Sequence, residues 1–147
     1  MFDSLYFDDF SLGQKFISKS RTVTEADLVN FAAVTWDHNS LHTDAEYAKQ
    51  TPYKKRIAHG ILGIAMHAGL TSHLTADSIL ALLSLSWDFK KPVFIGDTIH
   101  VEQIVKEMRQ LSDGSRGVLT FAKKVINQNG EVVQQGLVTV LLAMRNK

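Results

Sequence analysis

The sequence predicts an α+β fold in which a mostly antiparallel sheet of long strands wraps around one central apolar helix. Two observations predict it. Four long runs rich in Val, Ile, Leu, Phe and Thr follow one another in the C-terminal half, and the turn pairs Asp113-Gly114 and Asn129-Gly130 separate the last three. Before these runs, residues 60–75 are apolar on nearly every side, as in a buried helix. A strand, then helices, then four consecutive strands is an order typical of an α+β domain.

The N-terminal half is predicted to hold one strand and two helices. Residues 14–23 form the early strand. The hydroxyl of Thr24 stands three residues ahead of the acid Asp27, which is a capping pattern, so a helix is expected over residues 24–34. The next segment, around Asp37, is predicted to be irregular. Asp44 then caps a shorter helix over residues 45–50, and Pro52 ends it.

The central helix and the long strands are expected to form the core. Small residues recur along the helix and favour close approach by its neighbours: Gly63, Ala65, Ala68, Gly69 and Ser72. The strands are predicted over residues 79–89, 98–111, 117–126 and 132–144.

One of these strands is a candidate for contact with a second copy of the chain. Residues 80–85 are unusually apolar for a strand that has one face in water. Long strands also leave sheet edges, which single domains of this size usually cover by pairing with another copy. We therefore expect a homodimer or a multiple of dimers. The alternative is a strand buried on both faces.

Composition sets broad limits on the class of protein. The 147 residues fit one domain spanning residues 1–147, with 45% hydrophobic residues, two prolines and no linker-like stretch. Sixteen basic and fifteen acidic residues leave a net charge of +1, which gives no argument for nucleic acid or membrane partners. The N-terminal residues lack a basic region followed by a long apolar run. Zero cysteines exclude disulfides and a cysteine nucleophile, so a cytoplasmic protein is expected.

Two short segments carry the candidate chemistry. The segment Asp37-His38-Asn39-Ser40-Leu41-His42 places a carboxylate, a carboxamide and imidazoles directly after an amphipathic helix. Further along, Ile57-Ala58-His59-Gly60 opens the central helix, where backbone N–H groups can stabilise a developing negative charge. A pair that handles protons, followed by an oxyanion donor, indicates chemistry next to a carbonyl group.

These segments resemble a known family, the MaoC-like (R)-specific enoyl-CoA hydratases and dehydratases of hot-dog fold. Asp37-x-Asn39-x-Leu41-His42 is similar to that family's Asp-x-Asn-Pro-Leu-His signature, and Ile57-Ala58-His59-Gly60 is similar to its helix-opening element. Pro92-Val93-Phe94-Ile95-Gly96-Asp97 resembles the turn before its third long strand. The resemblance covers most of the chain.

The resemblance implies reversible hydration of a trans-2-enoyl-CoA to an (R)-3-hydroxyacyl-CoA, without a cofactor. The substrate would be an acyl-CoA or an acyl carrier protein thioester. Asp37 would activate and orient a water, His42 would share the proton transfer, and the N–H of Gly60 would be the main oxyanion donor.

Five further residues are candidate substrate-binding residues. Asn39 is expected to organise its loop, and His59 to hold the loop before the central helix. Direct catalysis by His59 is the less favoured interpretation. The basic cluster Lys54-Lys55-Arg56 contacts the phosphates of the carrier group or, alternatively, forms a solvated turn.

Three features depart from the family pattern. Ser40 stands where proline is usual and loosens the loop, and Trp36 stands where glycine is common. The Trp36 ring is expected to fill space near Asp37 and to shorten or reshape the acyl pocket. Ala65 and Ala68 are the helical positions nearest to the site, where many members carry a serine hydroxyl.

Other functional classes find less support in the sequence. His38 and His42 are four residues apart, but no third metal ligand is spaced convincingly, so no metal is expected. The Gly-x-Ser-x-Gly elbow of serine hydrolases and the glycine-rich nucleotide loops are absent. His67 and His73 are interpreted as core or interface residues. Two alternative functions stay open: a thioesterase on the same fold and a non-catalytic acyl-binding subunit.

Overall fold

One antiparallel sheet forms the frame of the protein. The computed structural model describes residues 4–146, so Met1, Phe2 and Asp3 of the N-terminal segment discussed above, and Lys147, lie outside the described residues. The strands are β1 (Lys15–Ile17), β2 (Arg21–Thr22), β3 (Ile79–Phe89), β4 (Thr98–Gln110), β5 (Arg116–Ile126) and β6 (Val132–Ala143). Their order in the sheet is β1-β4-β5-β6-β3, with β2 also pairing with β4. The four predicted long strands are therefore confirmed.

Helices lie between the early strands and the long ones. They are α1 (Glu25–Thr35), α2 (Ser40–Thr43), α3 (Ala45–Lys49) and α4 (Gly60–Thr71), and short 3₁₀ turns cover Phe7–Asp9 and Ser72–Thr75. Both predicted N-caps form. Thr24 and Asp27 exchange side-chain to backbone hydrogen bonds, and the carboxylate of Asp44 accepts from the N–H of Tyr47. Within residues 4–146, none of the helices is long and apolar enough to cross a membrane.

The early strand is broken rather than continuous over residues 14–23. The hydroxyl of Ser18 accepts a hydrogen bond from the N–H of Val101, in the place of a backbone partner. Pairing with β4 resumes at Arg21 with the register shifted by one residue. The single predicted strand is therefore wrong, because a side-chain hydrogen bond to the distant Val101 replaces a backbone bond of the ladder.

One prediction about the helices is confirmed and another needs correction. Asp37 lies on an irregular segment after α1, as predicted, and the short helix α2 follows it and leads directly into the Asp44 cap. Helix α4 was expected to be buried nearly all round. In the single chain one of its faces is exposed, including Ile61, Ala65 and Gly69, because no element of the described chain covers that face.

The sheet face under α4 is divided into two apolar clusters by polar residues. On β4 the inward side chain of Gln103 lies between Val101 of one cluster and Val105 of the other. On β5 the directly opposite position is Lys123. Both of these polar side chains are buried. A polar pair therefore interrupts a face that period-two patterning would otherwise make continuously hydrophobic.

Helix α4 adds two more polar side chains to this pair. His67 and Thr71, which lie one turn apart, are buried on the face that α4 turns toward the sheet. The Nζ atom of Lys123 donates to the hydroxyl of Thr71 at 3.1 Å. We call the four residues His67, Thr71, Gln103 and Lys123 the polar layer.

Strand β3 lies at the edge of the sheet and pairs only with β6. Its leucines are exposed in the single chain: Leu80, Leu82, Leu83 and Leu85. The alternative that this strand is buried on both faces is therefore wrong for the single chain. Contiguous exposed apolar surface on a long edge strand is unusual for a soluble monomer.

Lys123→Met is expected to stabilise the fold at pH 7 by about 1–4 kcal/mol, because it removes a buried charge that has no carboxylate partner in residues 4–146. Burial lowers the pKa of Lys123 from its ordinary value of 10.5 to about 8. Between these values the unfolded chain binds more protons, so the stability of the unsubstituted protein rises with pH. The advantage of methionine therefore shrinks from pH 8 to 10.5.

Urea unfolding at pH 7 and at pH 10 measures both effects. Lys124→Met, at the exposed neighbouring position, is the matched control and is expected to change little at either pH. A Lys123→Met variant less stable than the unsubstituted protein at pH 7 contradicts the interpretation.

Candidate active site

A left-handed residue ends α1 directly before Asp37. Trp36 ends the helix with φ 65° and ψ 14°, and its N–H donates to the carbonyl of Ala32. Glycine adopts this backbone conformation without steric cost, which explains why glycine is common at this position in the family that this segment resembles. The Trp36 side chain is 85% exposed. The expectation that its ring fills space near Asp37 is therefore wrong for the single chain.

The carboxylate of Asp37 is oriented by its own loop. Oδ1 accepts hydrogen bonds from the backbone N–H of Asn39 at 3.3 Å and from its side-chain Nδ2 at 2.7 Å. These two bonds, the backbone one foremost, lower the pKa of Asp37 below its ordinary value. Asp37 is therefore a carboxylate at neutral pH, with lone pairs still available.

His42 is held by the segment that precedes α4. Its Nδ1 lies 2.8 Å from the carbonyl oxygen of Ile57, and Ile57 forms an isolated antiparallel bridge with Phe94. Because a carbonyl only accepts, Nδ1 carries the proton. In the neutral ring Nε2 therefore has an unprotonated lone pair, which is the form a general base requires.

His59 contacts both Asp37 and His42. It precedes α4, is 2% exposed, and its Nε2 lies 3.0 Å from the backbone carbonyl of Asp37. Its ring stacks on His42 at 3.9 Å between centroids and contacts Phe31 edge-on. Burial lowers the pKa of His59. Its Nδ1 is buried and has no partner within residues 4–146.

Asp37, His42 and His59 together form one compact cluster. One ligand-type atom from each lies within 4.8 Å of the others. His59 thus provides the third potential metal ligand that sequence spacing did not reveal, because the fold rather than the chain brings it there. Two of the four imidazole nitrogens already face carbonyls. What remains is one carboxylate and two nitrogen lone pairs, a set that can hold a water or a metal ion.

The N-terminus of α4 lies beside this cluster. Within residues 4–146, no acceptor forms a hydrogen bond with the backbone N–H of Gly60, Ile61 or Leu62, and no side chain caps the helix. A Cβ added at Gly60 would lie 2.9 Å from the ring of Phe89. The bare backbone and the helix dipole leave this terminus suited to an oxyanion.

Comparison with known proteins places this arrangement in a family. Residues 9–129 match the family described as MaoC like domain. The chain belongs to this MaoC-like family. It is 31% identical to an (R)-specific enoyl-CoA hydratase from Rhodospirillum rubrum over 140 residues, which cover 95% of this chain and 93% of that protein.

Solved structures agree with the family. The structure of a monoamine oxidase regulatory protein from Archaeoglobus matches with a TM-score of 0.88 and 36% identity, covering 95% of each chain. A Mycobacterium tuberculosis protein with a double hot-dog fold matches with a TM-score of 0.88 and 20% identity, covering 98% of this chain and 46% of that one. The predicted hot-dog fold is confirmed. The enzyme class is that of the hydratase and dehydratase relatives, the hydro-lyases.

A cleft of about 220 Å³ opens beside Gly60 in this MaoC-like chain. Its walls include Tyr53, Phe89 and Gln134, and its basic side chains are Lys90 and Lys91. Sequence reasoning missed these two lysines, because nothing in their spacing sets them apart from an ordinary strand end. Lys91 pairs with Glu131, and Lys90 is exposed.

The basic cluster Lys54-Lys55-Arg56 does not act as one surface. Arg56 pairs with Glu25 of α1 at 2.6 Å, and the ammonium of Lys55 lies 4.4 Å from the centre of the Phe94 ring. Lys54 adopts φ 66° and its side chain is exposed. The structure therefore divides the three cations among an ion pair, a cation–π contact and solvent.

Gly60→Ala is expected to lower kcat/KM of this MaoC-like enzyme by about 10- to 100-fold, because the added methyl displaces the Phe89 ring and shifts any group bound at the helix terminus. Gly69→Ala on the same helix is the matched control, since a Cβ there meets nothing within 4 Å. Both variants are expected to fold, which thermal melting checks. Equal activity of the two variants contradicts a role for the bare backbone at Gly60.

Proposed function

We propose that this protein adds water reversibly across a trans-2-enoyl-CoA and forms an (R)-3-hydroxyacyl-CoA. One observation carries the proposal: a carboxylate, an unprotonated imidazole nitrogen and an uncapped helix N-terminus meet at one place. The enoyl-CoA hydratase names of relatives that align over most of the chain support it.

Asp37 and His42 hold the reacting water. Both offer acceptors, so one water molecule donates one hydrogen to the carboxylate of Asp37 and the other to Nε2 of His42. The water oxygen then presents a lone pair to the β-carbon of the substrate. As the C–O bond forms, His42 takes the proton, and Asp37 keeps the water oriented. The same proton returns to the α-carbon.

Negative charge develops on the thioester oxygen while the water attacks. The N–H of Gly60 and the dipole of α4 stabilise this enolate, since both are oriented before the reaction begins. Dehydration uses the same groups in reverse order.

His59 acts as a positioning residue in this proposal. Its hydrogen bond holds the Asp37 backbone, and its ring supports His42 from one side. Burial keeps the pKa of His59 low, so the ring stays neutral and does not oppose protonation of His42.

The carrier group would enter through the cleft beside Gly60. Tyr53 and Phe89 provide apolar walls for a pantetheine arm, and Lys90 provides a cation at the rim. Lys54 is exposed, and its predicted contact with the carrier phosphates stays part of this proposal. A CoA or an acyl carrier protein would both present phosphate here.

A dimer through β3 would cover the exposed leucines of this edge strand. The edge lies at the end of the sheet order, so a second β3 could extend the sheet antiparallel to the first. The exposed face of α4 is the other surface that a second copy would cover.

Hydration without thiol release is the first expected result. Crotonyl-CoA and longer enoyl-CoAs should lose their enoyl thioester absorbance while no free thiol appears. Stoichiometric thiol would identify a thioesterase, and no turnover of any thioester would favour a non-catalytic subunit. Activity is also expected to survive a strong chelator. Loss on chelation, restored by zinc, would show that the Asp37, His42 and His59 cluster holds a metal.

Asp37→Asn and His42→Ala are each expected to lower kcat by about 10²- to 10⁴-fold. Because both groups serve one water, the double variant should be nearly as slow as the slower single variant. His38→Ala, an exposed neighbour in the same loop, is the control and should keep full activity. Circular dichroism checks the fold. Losses that multiply would mean that the two residues act in separate steps.

The dimer prediction has a matched pair of variants. Leu82 on β3 and Ile17 on β1 are both 63% exposed and lie at opposite ends of the sheet order. Leu82→Glu is expected to give monomers on a sizing column, because it introduces a charge into the proposed contact. Ile17→Glu should elute as the unsubstituted dimer does. The opposite pattern would place the interface at β1.

A further inference from the structure

The polar layer contains a buried positive charge without a counter-ion. Lys123 is 7% exposed, and within residues 4–146 its ammonium donates one hydrogen bond, to the hydroxyl of Thr71, and lies 5.4 Å from the centre of the Phe121 ring. No carboxylate in residues 4–146 lies within 4 Å of its Nζ atom. A buried ammonium without a carboxylate partner is costly, so proteins rarely keep one that serves no purpose.

Two more polar atoms of the layer have no partner. His67 and Gln103 are each 2% exposed, and within residues 4–146 neither Nε2 of His67 nor Oε1 of Gln103 has a hydrogen-bond partner. The Nδ1 of His67 donates to the carbonyl of Ile64. Most buried polar atoms in folded proteins are paired, so unpaired atoms beside an unpaired charge need a common explanation.

A cavity of about 280 Å³ lies beside these residues. His67, Thr71, Gln103 and Lys123 all line it. The rest of its wall is almost entirely apolar and comes from α4, the 3₁₀ turn that follows it, β3, β5 and β6. A pocket with apolar sides and polar groups at one wall fits a chain molecule that ends in a polar group.

The cavity begins one helical turn beyond the candidate active site. Gly60 lines the cleft and Ile64, four residues later on α4, lines the cavity. From Gly60 to His67 the helix rises by about 10 Å, a distance that an acyl chain spans.

A chain of contacts also links the two places. Gln134 donates to the carbonyl of Gly60 at 3.2 Å, and Trp87 donates to Gln134 at 2.9 Å. The Trp87 ring then stacks on His67 at 4.5 Å between centroids.

We propose that this cavity receives the far end of the acyl chain, and that the preferred substrates carry a carboxylate at that end, which pairs with Lys123. The inference rests on the proposed function, because it names the substrate class of the same site. The substrates would be ω-carboxy-trans-2-enoyl thioesters rather than simple fatty acyl thioesters.

A terminal carboxylate can form hydrogen bonds with the unsatisfied groups, whereas a terminal methyl group cannot. Lys123 uses one of its three N–H bonds on Thr71, so two remain. Although burial lowers the pKa of Lys123 to about 8, the group is still mostly charged at pH 7. The amide of Gln103 can rotate to turn its NH₂ group toward the second carboxylate oxygen.

His67 adds an acceptor and no charge. Burial lowers the pKa of His67 to about 4, so its ring is neutral at pH 7. Its Nε2 accepts a hydrogen bond from the remaining N–H of Lys123, or from an O–H of a water that enters with the carboxylate. A hydrocarbon end would leave all these groups unpaired, and the layer would then only weaken the core.

Matched substrates test the inference. trans-2-Octenoyl-CoA and the mono-CoA thioester of trans-2-octenedioic acid differ only in the terminal methyl or carboxylate. The unsubstituted enzyme is expected to turn over the carboxylate substrate with kcat/KM about 10- to 100-fold higher, as for a charge-assisted hydrogen bond. The hexenoyl and decenoyl pairs cover other chain lengths. Lys123→Met should reverse the preference, Lys123→Gln should reduce it, and Lys124→Met should leave it unchanged.

Binding of saturated thioesters separates this inference from the proposed function. Calorimetry with octanoyl-CoA and suberyl-CoA needs no catalysis, and suberyl-CoA should bind about 10-fold or more tightly, in a manner that depends on Lys123. That binding preference without any hydration would refute the proposed function and support the inference. Hydration of both substrates without a preference at any chain length would overturn the inference and leave the proposed function standing. A preference for the ω-hydroxy thioester over the carboxylate, or one that survives Lys123→Met, would also overturn it.

Discussion

The hydrogen bond from the buried His59 ring to the backbone carbonyl of Asp37 is the contact on which the site depends. It joins the loop after α1 to the residue that precedes α4, two positions that are 22 residues apart in the chain. Because the same ring stacks on His42, one buried side chain positions the carboxylate, the imidazole and the helix N-terminus together. The low pKa of His59 suits this arrangement, because a neutral ring does not repel a neighbouring imidazole that takes up a proton.

The same helix carries both the proposed chemistry and the proposed selectivity. Its first turn, which begins at Gly60, offers N–H groups that have no acceptor within residues 4–146, and its later turns place His67 and Thr71 over the polar pair on the sheet. This polar layer divides the apolar core into two clusters and leaves Lys123 without a counter-ion in the described chain. Stability and the proposed function therefore oppose each other at this position. A more hydrophobic core would be more stable, and it would lack a charged group at the end of the proposed acyl cavity.

Much of the local structure follows from short-range patterns in the sequence. The Thr24 and Asp44 caps form as predicted, and the four long strands appear with their two glycine turns, because these features depend on residues within a few positions of one another. Predictions failed where a distant partner decided the outcome. Ser18 binds the backbone of Val101 and breaks the early strand, and no nearby residue foretells that contact. The prediction for Trp36 failed without such a partner, since its side chain is exposed in the single chain and does not fill space near Asp37.

The sequence by itself determined the α+β class, the strand succession and the identity of the residues around Asp37, His42 and Gly60, because periodicity, capping and motif spacing are local properties of a chain. Only the tertiary structure decided that His59 lies against Asp37 and His42, that Lys90 borders the cleft, and that the lysines and arginine at 54–56 have separate partners. It also decided that Gln103 and Lys123 face each other beneath His67. Strand register and helix placement bring such residues together across 20 to 60 positions, and hydrophobic packing, which acts on the whole chain, sets both.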